Sequence, residues 1–284
     1  GSSSCRVNFV MEYGNYGYRD ELTGADYRSK RTNIESTMQR RMWHQNDPGV
    51  IPNLLITGAG APTGILVYEG DLLPEPFRGQ MIHAEPGRNV VWAFPAKQAG
   101  AGYSASIVDI VRSSSGRNYR PSDVSVAPDG SLFIADWFDP VDCCHRTLND
   151  AGRIFRVAPP KHAYAVRDFD FKTPIGAARA LRSPNLSARY KAWTALIGMQ
   201  EHARPVLETM ASDDNPRFRA RALWALSAIK NDTSRVIEMA LGDESENIRA
   251  LALRIARRHQ LPVEPVVRRL VRDKSSLVRR ECAV

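Results

Sequence analysis

The feature that most constrains the fold of this chain is a repeat of 30 residues in its second half. Four arginines recur at that interval, and the position three residues after each is alanine, or cysteine in the last copy. Aspartates stand six residues before the last three arginines, and a serine holds that place in the first copy. Each copy thus opens with a helix start signal and continues with apolar residues at helical spacing. The arginines are Arg189, Arg219, Arg249 and Arg279.

A second helical segment precedes each copy, as in ARPVLETMA and SRVIEMAL. Two short helices in about 30 residues predict an α-solenoid, in which each repeat buries its apolar face only against its neighbours. The motif resembles short HEAT-like repeats and predicts four copies within residues 165–284. The last copy stops at Val284 in mid-helix without a polar cap, so we expect this solenoid to be truncated.

The first half of the chain, residues 1–164, has the pattern of short strands. Segments such as TGILVY, NVVWAF and SLFIADW are rich in β-branched and aromatic residues and are bounded by turn residues. APDG, between SDVSV and SLFIADW, predicts a hairpin with Asp-Gly at its turn. Related units open at Pro62 and Pro121, which favours four-stranded propeller blades. Propellers have about 4–8 blades of roughly 40–45 residues, so we expect an incomplete propeller with further blades upstream of Gly1.

These patterns predict a multidomain β + α chain, with C-terminal blades of a β-propeller over residues 1–164 and a HEAT-like α-solenoid over residues 165–284. The charge changes at the same boundary: the first part has 17 Lys+Arg and 17 Asp+Glu, and the second has 22 and 14. No apolar run approaches the ~20 residues of a membrane helix, so no membrane span is predicted.

The repeated arginines admit two interpretations. In the first, each pairs with an aspartate or a helix C-terminus of the neighbouring repeat and joins the repeats together. In the second, the arginines between Arg254 and Arg272 form a basic surface for nucleic acid or an acidic protein partner. Nucleic acid is disfavoured, because aromatic residues are scarce there and Tyr190 and Trp193 fall at core spacing.

Residues 143–145 read CCH, which resembles the end of a covalent haem attachment motif. Covalent haem attachment needs two cysteines separated by two residues, with histidine directly after the second. Val141 occupies the place of the first cysteine, and CxxCH does not occur elsewhere in the sequence, so no covalent haem is expected in this chain. Cys143 and Cys144 are interpreted as loop residues, either a vicinal disulfide or free thiols, or as a soft-metal site with His145.

Two clusters of titratable residues follow predicted strands. Asp136 and Asp139 come after SLFIAD, where the face or channel of a propeller would lie, and their carboxylates could hold calcium while His145 acts as a base. The alternative is that Asp136 caps a turn of the blade. His83 and Glu85 hold the equivalent place in the preceding blade, on one side of their strand, where a hydrogen-bonded histidine between blades is the structural alternative.

The glycine-rich stretch TGAGAPTG covers residues 57–64. No helix signal follows it, so it does not predict a nucleotide-binding loop. His44 and Asp47, in WHQNDPG, stand near it as further candidates.

Several segments resemble the planctomycete-type membrane-bound dehydrogenase domain proteins, among them DPGVIPNLLITGAGAPTGILVYEG, FRGQMIHAEPGRNVVWAF and RPSDVSVAPDGSLFIADWFDP. Members of this bacterial family combine a propeller similar to glucose/sorbosone dehydrogenases, HEAT-like repeats and often a C-terminal haem domain. The resemblance covers essentially the whole chain. It implies a fragment of a longer protein that is periplasmic, secreted or associated with the cell envelope, with the haem module outside this chain.

The resemblance further implies a segment of a quinoprotein-like sugar or alcohol dehydrogenase that passes electrons to a haem module. Pyrroloquinoline quinone and calcium are the implied cofactors, and a sugar or glycan-like molecule is the implied ligand. The alternative is a non-catalytic propeller and HEAT scaffold that binds a glycan or a protein partner. The candidate site residues are His145 and His83 as catalytic groups, Arg120 and Asp123 as an ion pair or a quinone-binding pair, and Asp136, Asp139 and Glu85 as metal ligands.

Overall fold

The structure of the chain is a computed structural model that describes residues 5–20, 23–26, 43–45, 47–58, 63–114, 119–138, 152–230 and 232–284. It has the β and α elements of a multidomain protein, in two compact units. One unit comprises Gly1–Ala127 with Ser131–His162, and the other comprises Pro128–Gly130 with Ala163–Val284.

The first unit is built from short strands, all paired antiparallel. Four strands form the central sheet in the order β3-β4-β5-β8, and three form a second sheet in the order β11-β10-β9. Two-stranded sheets pair β1 with β2 and β6 with β7. The strands are β1 (Cys5–Val7), β2 (Leu55–Gly58), β3 (Ile65–Val67), β4 (Met81–Glu85), β5 (Val90–Phe94), β6 (Ala96–Ala99), β7 (Gly102–Ala105), β8 (Val108–Arg112), β9 (Pro121–Val126), β10 (Leu132–Asp136) and β11 (Arg153–Val157).

The two middle strands of the central sheet, β4 and β5, are buried on both faces. Alternation along β4 and β5 sends Ile82 and Val91 to one face, where they pack with Ile134 of the three-stranded sheet. The other face presents Trp92 and Phe94, which pack with residues of β1 and β2. A sheet with two apolar faces needs a neighbour on each side, and here the β1-β2 and β9-β10-β11 sheets supply them.

The predicted Asp-Gly hairpin is confirmed. β9 and β10 pair antiparallel, and the Ala127 amide donates to the Ser131 carbonyl at 2.8 Å across the turn. Gly130 has a φ of +90°, a left-handed conformation that glycine adopts without steric cost.

The second unit is helical. The prediction of two helices in each 30-residue repeat is confirmed. Polar residues cap helix starts; the Asn185 side chain, for example, accepts from the Ala188 amide. Helices pack as the pairs α1–α2, α3–α4, α5–α6 and α7–α8, and the second helices of successive pairs also contact one another. The helices are α1 (Pro174–Leu181), α2 (Leu186–Met199), α3 (Arg204–Ala211), α4 (Pro216–Ser227), α5 (Thr233–Leu241), α6 (Glu246–Arg258), α7 (Glu264–Leu270) and α8 (Ser276–Ala283).

Two of the repeated arginines join one helix pair to the next. The Arg219 guanidinium donates to both carboxylate oxygens of Asp243 at 2.8 and 2.9 Å, and Arg249 makes the same pair with Asp273 at 2.7 and 2.9 Å. Each also donates to two backbone carbonyls in the turn before its own helix. For Arg219 and Arg249, the predicted pairing with an aspartate of the neighbouring repeat is therefore confirmed.

Within the described parts of the chain, every helix is too short or too polar to cross a lipid bilayer.

Candidate functional site

A cavity of about 260 Å³ lies in the first unit, where β8 ends and β11 begins. Its wall combines hydroxyl, guanidinium and aromatic groups. Tyr119 reaches it from the segment that leads into β9. The lining residues are Val111, Arg112, Ser113, Ser114, Tyr119, Arg153 and Phe155.

Tyr119 is a buried aromatic residue in the wall of this cavity. It is 7% exposed, and its ring packs edge-on against Phe155 with the centroids 5.8 Å apart. Its hydroxyl is buried and has no hydrogen-bond partner among the described residues. Burial, and secondarily the nearby Asp136 carboxylate, raises the pKa of Tyr119, so the phenol stays protonated and can donate a hydrogen bond.

Arg153 is fixed at the cavity wall by Asp136, which lies opposite it in the β10–β11 register. Asp136 Oδ2 accepts from Arg153 Nε at 3.0 Å and from Nη2 at 2.5 Å. Oδ1 accepts from the backbone amides of Arg120 at 2.7 Å and Phe138 at 3.0 Å. Each carboxylate oxygen therefore has two donors, which fills its hydrogen-bonding capacity.

Arg112 is the second guanidinium of the cavity, and it too has a carboxylate partner. It donates to Asp109 at 2.6 and 3.1 Å, and Trp92 Nε1 donates to the same carboxylate at 2.9 Å. The hydrogen bond from Arg112 lowers the pKa of Asp109, so this carboxylate is ionised at neutral pH. Because both arginines are paired, the cavity wall is polar but close to electrically neutral.

The predicted catalytic residue His83 lies in an apolar environment. It is 3% exposed and packs against the rings of Trp92 and Phe94, with centroids 6.4 and 5.5 Å away. Burial lowers the pKa of His83 to about 4, which keeps the imidazole neutral at physiological pH. Its catalytic role stays a prediction.

Glu85 shares the strand face of His83, as the alternation predicts. It is fully buried, and its Oε1 accepts from the Gly87 amide at 3.1 Å, which caps the short 3₁₀ turn Pro86–Arg88. This contact gives Glu85 a structural role at the end of β4.

Arg120 and Asp123, predicted as an ion pair or a quinone-binding pair, contact different groups. Arg120 Nη1 donates to the Pro86 carbonyl at 3.2 Å, whereas Asp123 Oδ1 accepts from the adjacent Val124 amide at 2.8 Å. The side chains are thus directed to separate partners.

Four of the candidate metal, thiol and catalytic residues named in the sequence analysis lie outside the described residues. They are Asp139, Cys143, Cys144 and His145. Their predicted roles in metal binding and catalysis stay predictions.

Sequence reasoning missed Tyr119 and Arg153. A cross-strand charge pair was the available signal for Arg153, since opposite charges on adjacent strands often face each other. That signal requires the β10–β11 register, which the sequence does not reveal across residues 137–152. Tyr119 follows no pattern and becomes notable only once the cavity is known.

We expect the burial of His83 to make the first unit less stable in acid. The pKa of His83 in the folded chain lies below its value of about 6.5 in the unfolded chain. Between these two values the unfolded chain binds more protons, so the free energy of unfolding decreases as the pH is lowered. The loss reaches about 2 kcal/mol at pH 5 and about 3 kcal/mol below pH 4. Urea denaturation at pH 7 and pH 5, followed by near-ultraviolet circular dichroism, measures it.

His83→Phe is the matched variant, because it keeps an aromatic ring beside Trp92 but cannot titrate. Its stability should change less than that of the wild type between pH 7 and pH 5, by the amount attributed to His83. An identical pH dependence in the two proteins would contradict the assignment.

Comparison with known families matches the first part of the chain to one family of domains. Residues 17–161 match the family model described as "Domain of unknown function (DUF7133)". The match includes β2 to β11 and the whole cavity wall. A comparison with curated proteins gave no match. Since the family model covers half of the sequence, the chain belongs to the DUF7133 family of domains.

Proposed function

We propose that the first unit binds a neutral, hydroxyl-rich small molecule, a monosaccharide or similar polyol, in the cavity beside Tyr119. The observation that carries the proposal is Tyr119, which lines the cavity and whose buried hydroxyl has no hydrogen-bond partner among the described residues. A buried polar group without a partner costs free energy, and a ligand hydroxyl would satisfy it.

The charge of the cavity favours a neutral ligand over an anionic one. Arg112 and Arg153 each have a carboxylate partner, so neither presents an uncompensated charge to an anion. Their guanidinium groups still carry several donors in fixed geometry. Together with the hydroxyls of Ser113 and Ser114, they suit the alternating donors and acceptors of a sugar.

The size and the aromatic surface of the cavity also favour a sugar. Ligand sites for drug-sized molecules typically measure about 300–1,000 Å³, and this cavity is slightly smaller. The volume therefore suits one sugar ring better than an extended glycan or a tricyclic quinone. The faces of Tyr119 and Phe155 offer apolar surface to the carbon-bound hydrogens of a ring.

The wider function that we propose is the one implied by the resemblance, a segment of a sugar or alcohol dehydrogenase that passes electrons to a haem module. Pyrroloquinoline quinone would supply the oxidising chemistry when bound. In the arrangement seen here, Asp136 does not fit a calcium ligand because both its oxygens are filled, and Arg120 and Asp123 do not converge on a quinone. We therefore derive no step through either group.

The proposed architecture behind this function is a propeller followed by a solenoid. The antiparallel sheet β3-β4-β5-β8, packed between sheets on both faces, supports the blade interpretation. The repeated helix pairs and their arginine–aspartate links support the HEAT-like interpretation. A periplasmic, secreted or envelope location belongs to the same proposal.

We expect Tyr119→Phe to weaken sugar binding about tenfold, because one buried hydrogen bond to a neutral group contributes about 1 kcal/mol or slightly more. Isothermal titration calorimetry with glucose, galactose and mannitol measures the affinity of each for wild type and variant. Tyr190→Phe is the matched control and should bind as the wild type does, because Tyr190 lies in the second unit and is exposed, although its spacing predicted a core position. Equal affinity in Tyr119→Phe, or no binding of any polyol to the wild type, would contradict the proposal.

A dye-linked oxidation assay separates the catalytic proposal from its alternative. Reduction of an artificial electron acceptor by the full chain, supplied with pyrroloquinoline quinone, calcium and the bound sugar, would support the catalytic proposal and would place the quinone and calcium on residues other than Asp136, Arg120 and Asp123. Sugar binding without dye reduction would favour the scaffold that binds a glycan.

A further inference from the structure

Three side chains from two segments of the first unit, none of which lines the sugar cavity, lie close together: Asp20, His44 and Asp47. One nitrogen of the imidazole and one oxygen of each carboxylate lie within 4.8 Å of one another. His44 is 2% exposed, and its Nδ1 lies 3.4 Å from Asp47 Oδ2.

Local backbone contacts bring these segments together. Gly17 has a φ of +71°, and a Cβ atom there would lie 1.7 Å from the Trp43 carbonyl oxygen, so the close approach requires glycine. The Asp20 amide donates to the Ala25 carbonyl at 2.8 Å. The carbonyl of the next residue, Asp26, contacts the His44 ring.

The hydrogen bond of His44 defines which ring nitrogen can bind a metal ion. Nε2 lies 2.9 Å from the Asp26 carbonyl oxygen, and because a carbonyl can only accept, Nε2 must carry the proton. In the neutral ring, Nδ1 then presents a lone pair. Nδ1 is buried and has no hydrogen-bond partner among the described residues. In this tautomer Nδ1 and the Asp47 carboxylate are both acceptors and face each other, and a cation between them would satisfy both.

The distance between these atoms fits two ligands of one metal ion. A charge-assisted hydrogen bond from an imidazolium to a carboxylate measures about 2.7–2.9 Å, shorter than the 3.4 Å seen here. In a tetrahedral zinc site, bonds of about 2.0–2.1 Å separate neighbouring ligand atoms by about 3.3 Å. A metal-bound histidine also normally donates its other N–H to a carbonyl or carboxylate, as His44 does.

We propose that Asp20, His44 and Asp47 bind a divalent transition-metal ion of the zinc type, with a fourth position open to water. One neutral imidazole and two carboxylates carry a formal charge of −2, which matches a dication. Calcium prefers six to eight oxygen ligands, so an imidazole in the set selects against it. Trp43 and His44 both have positive φ, and the ion would hold this disfavoured turn in place. The proposal is independent of sugar binding.

Metal binding by the full chain tests the proposal directly. The protein is stripped with a chelator, and its four cysteines are alkylated so that no thiolate competes for the ion. Calorimetry with Zn²⁺ should give one ion per chain, and Co²⁺ should give the visible absorption of a tetrahedral site. His44→Gln and Asp47→Asn should each bind Zn²⁺ at least tenfold more weakly, and His202→Gln, in the second unit, should bind as the wild type does.

Absence of Zn²⁺ binding in the alkylated wild type would overturn the proposal, as would unchanged affinity in both His44→Gln and Asp47→Asn. Tighter binding of Ca²⁺ than of Zn²⁺ would overturn the assignment of the ion and the role of the imidazole. Circular dichroism checks that each variant folds. If His44→Gln does not fold, Asp20→Asn, at a partly exposed position, decides by the same criterion.

Discussion

Arg249→Met should lower the free energy of unfolding of the helical unit by about 3–5 kcal/mol, the cost of leaving one member of a buried ion pair alone. Arg249 is 8% exposed, and it donates to both oxygens of Asp273 and to the carbonyls of Asp243 and Glu244. Its removal leaves a buried carboxylate and two carbonyl groups without these donors. Urea denaturation followed by the helical circular dichroism signal measures the loss.

Arg268→Met is the matched control, because Arg268 pairs with Glu264 at the exposed surface of α7. Such i,i+4 pairs contribute about 0.3–0.5 kcal/mol, so this variant should unfold close to the wild type. If the two variants lose equal stability, Arg249 does not hold neighbouring helix pairs together.

Replacing both members of the pair separates the cost of an isolated buried charge from the contribution of the ion pair itself. Arg249→Met combined with Asp273→Leu removes the unpaired carboxylate, and apolar replacements of buried pairs are often neutral. We therefore expect the double variant to regain part of the stability that the single variant loses. A further loss in the double variant would show that the pair itself, rather than the isolated charge, carries the stability.

The arginine–aspartate pairs were predictable from the sequence because the same pair recurs at the period of the sequence repeat. A period of 30 residues places Asp243 and Asp273 each 24 residues after the arginine that they bind. Once each repeat folds as two helices, that fixed spacing sets the contact. The Asp-Gly hairpin was predictable for a similar reason, since its turn depends only on local backbone preference.

The candidate site was not predictable in the same way, since it depends on contacts between segments that no period relates. Asp136 was recognised as a carboxylate at a strand end, but its partner Arg153 depends on the strand register. His83 was recognised as a titratable residue, but its neutral state depends on burial by Trp92 and Phe94. His44 and Asp47 were noted without Asp20, because the fold alone brings residue 20 to them.

Asp136→Ala should be the most destabilising substitution in the three-stranded sheet, at about 3–5 kcal/mol, because it removes a buried carboxylate with four hydrogen bonds. The Arg120 and Phe138 amides and the Arg153 guanidinium would lose their acceptor. Hydrogen–deuterium exchange in peptides of β10 and β11 measures the effect, since lower stability speeds exchange through local opening. A loss of 3–5 kcal/mol corresponds to exchange roughly a hundredfold or more faster.

Asp123→Ala is the control in the same sheet, because Asp123 is exposed and its carboxylate contacts only the adjacent Val124 amide among the hydrogen bonds described. A surface substitution of this kind changes stability by about 0.5 kcal/mol at most. Similar exchange rates in the two variants would contradict the anchoring role of Asp136.

The same substitution also tests the neutral character of the sugar cavity. The substitution removes the carboxylate that pairs with Arg153, so the wall of the cavity that Arg153 lines becomes more positive. In conditions where Asp136→Ala remains folded, the variant should therefore bind glucuronate in preference to glucose, whereas the wild type should prefer glucose. Because the two sugars differ only in a carboxylate, a reversed preference would show that the Asp136–Arg153 pair sets the charge of the ligand. An unchanged preference would mean that the pair does not determine what the cavity accepts.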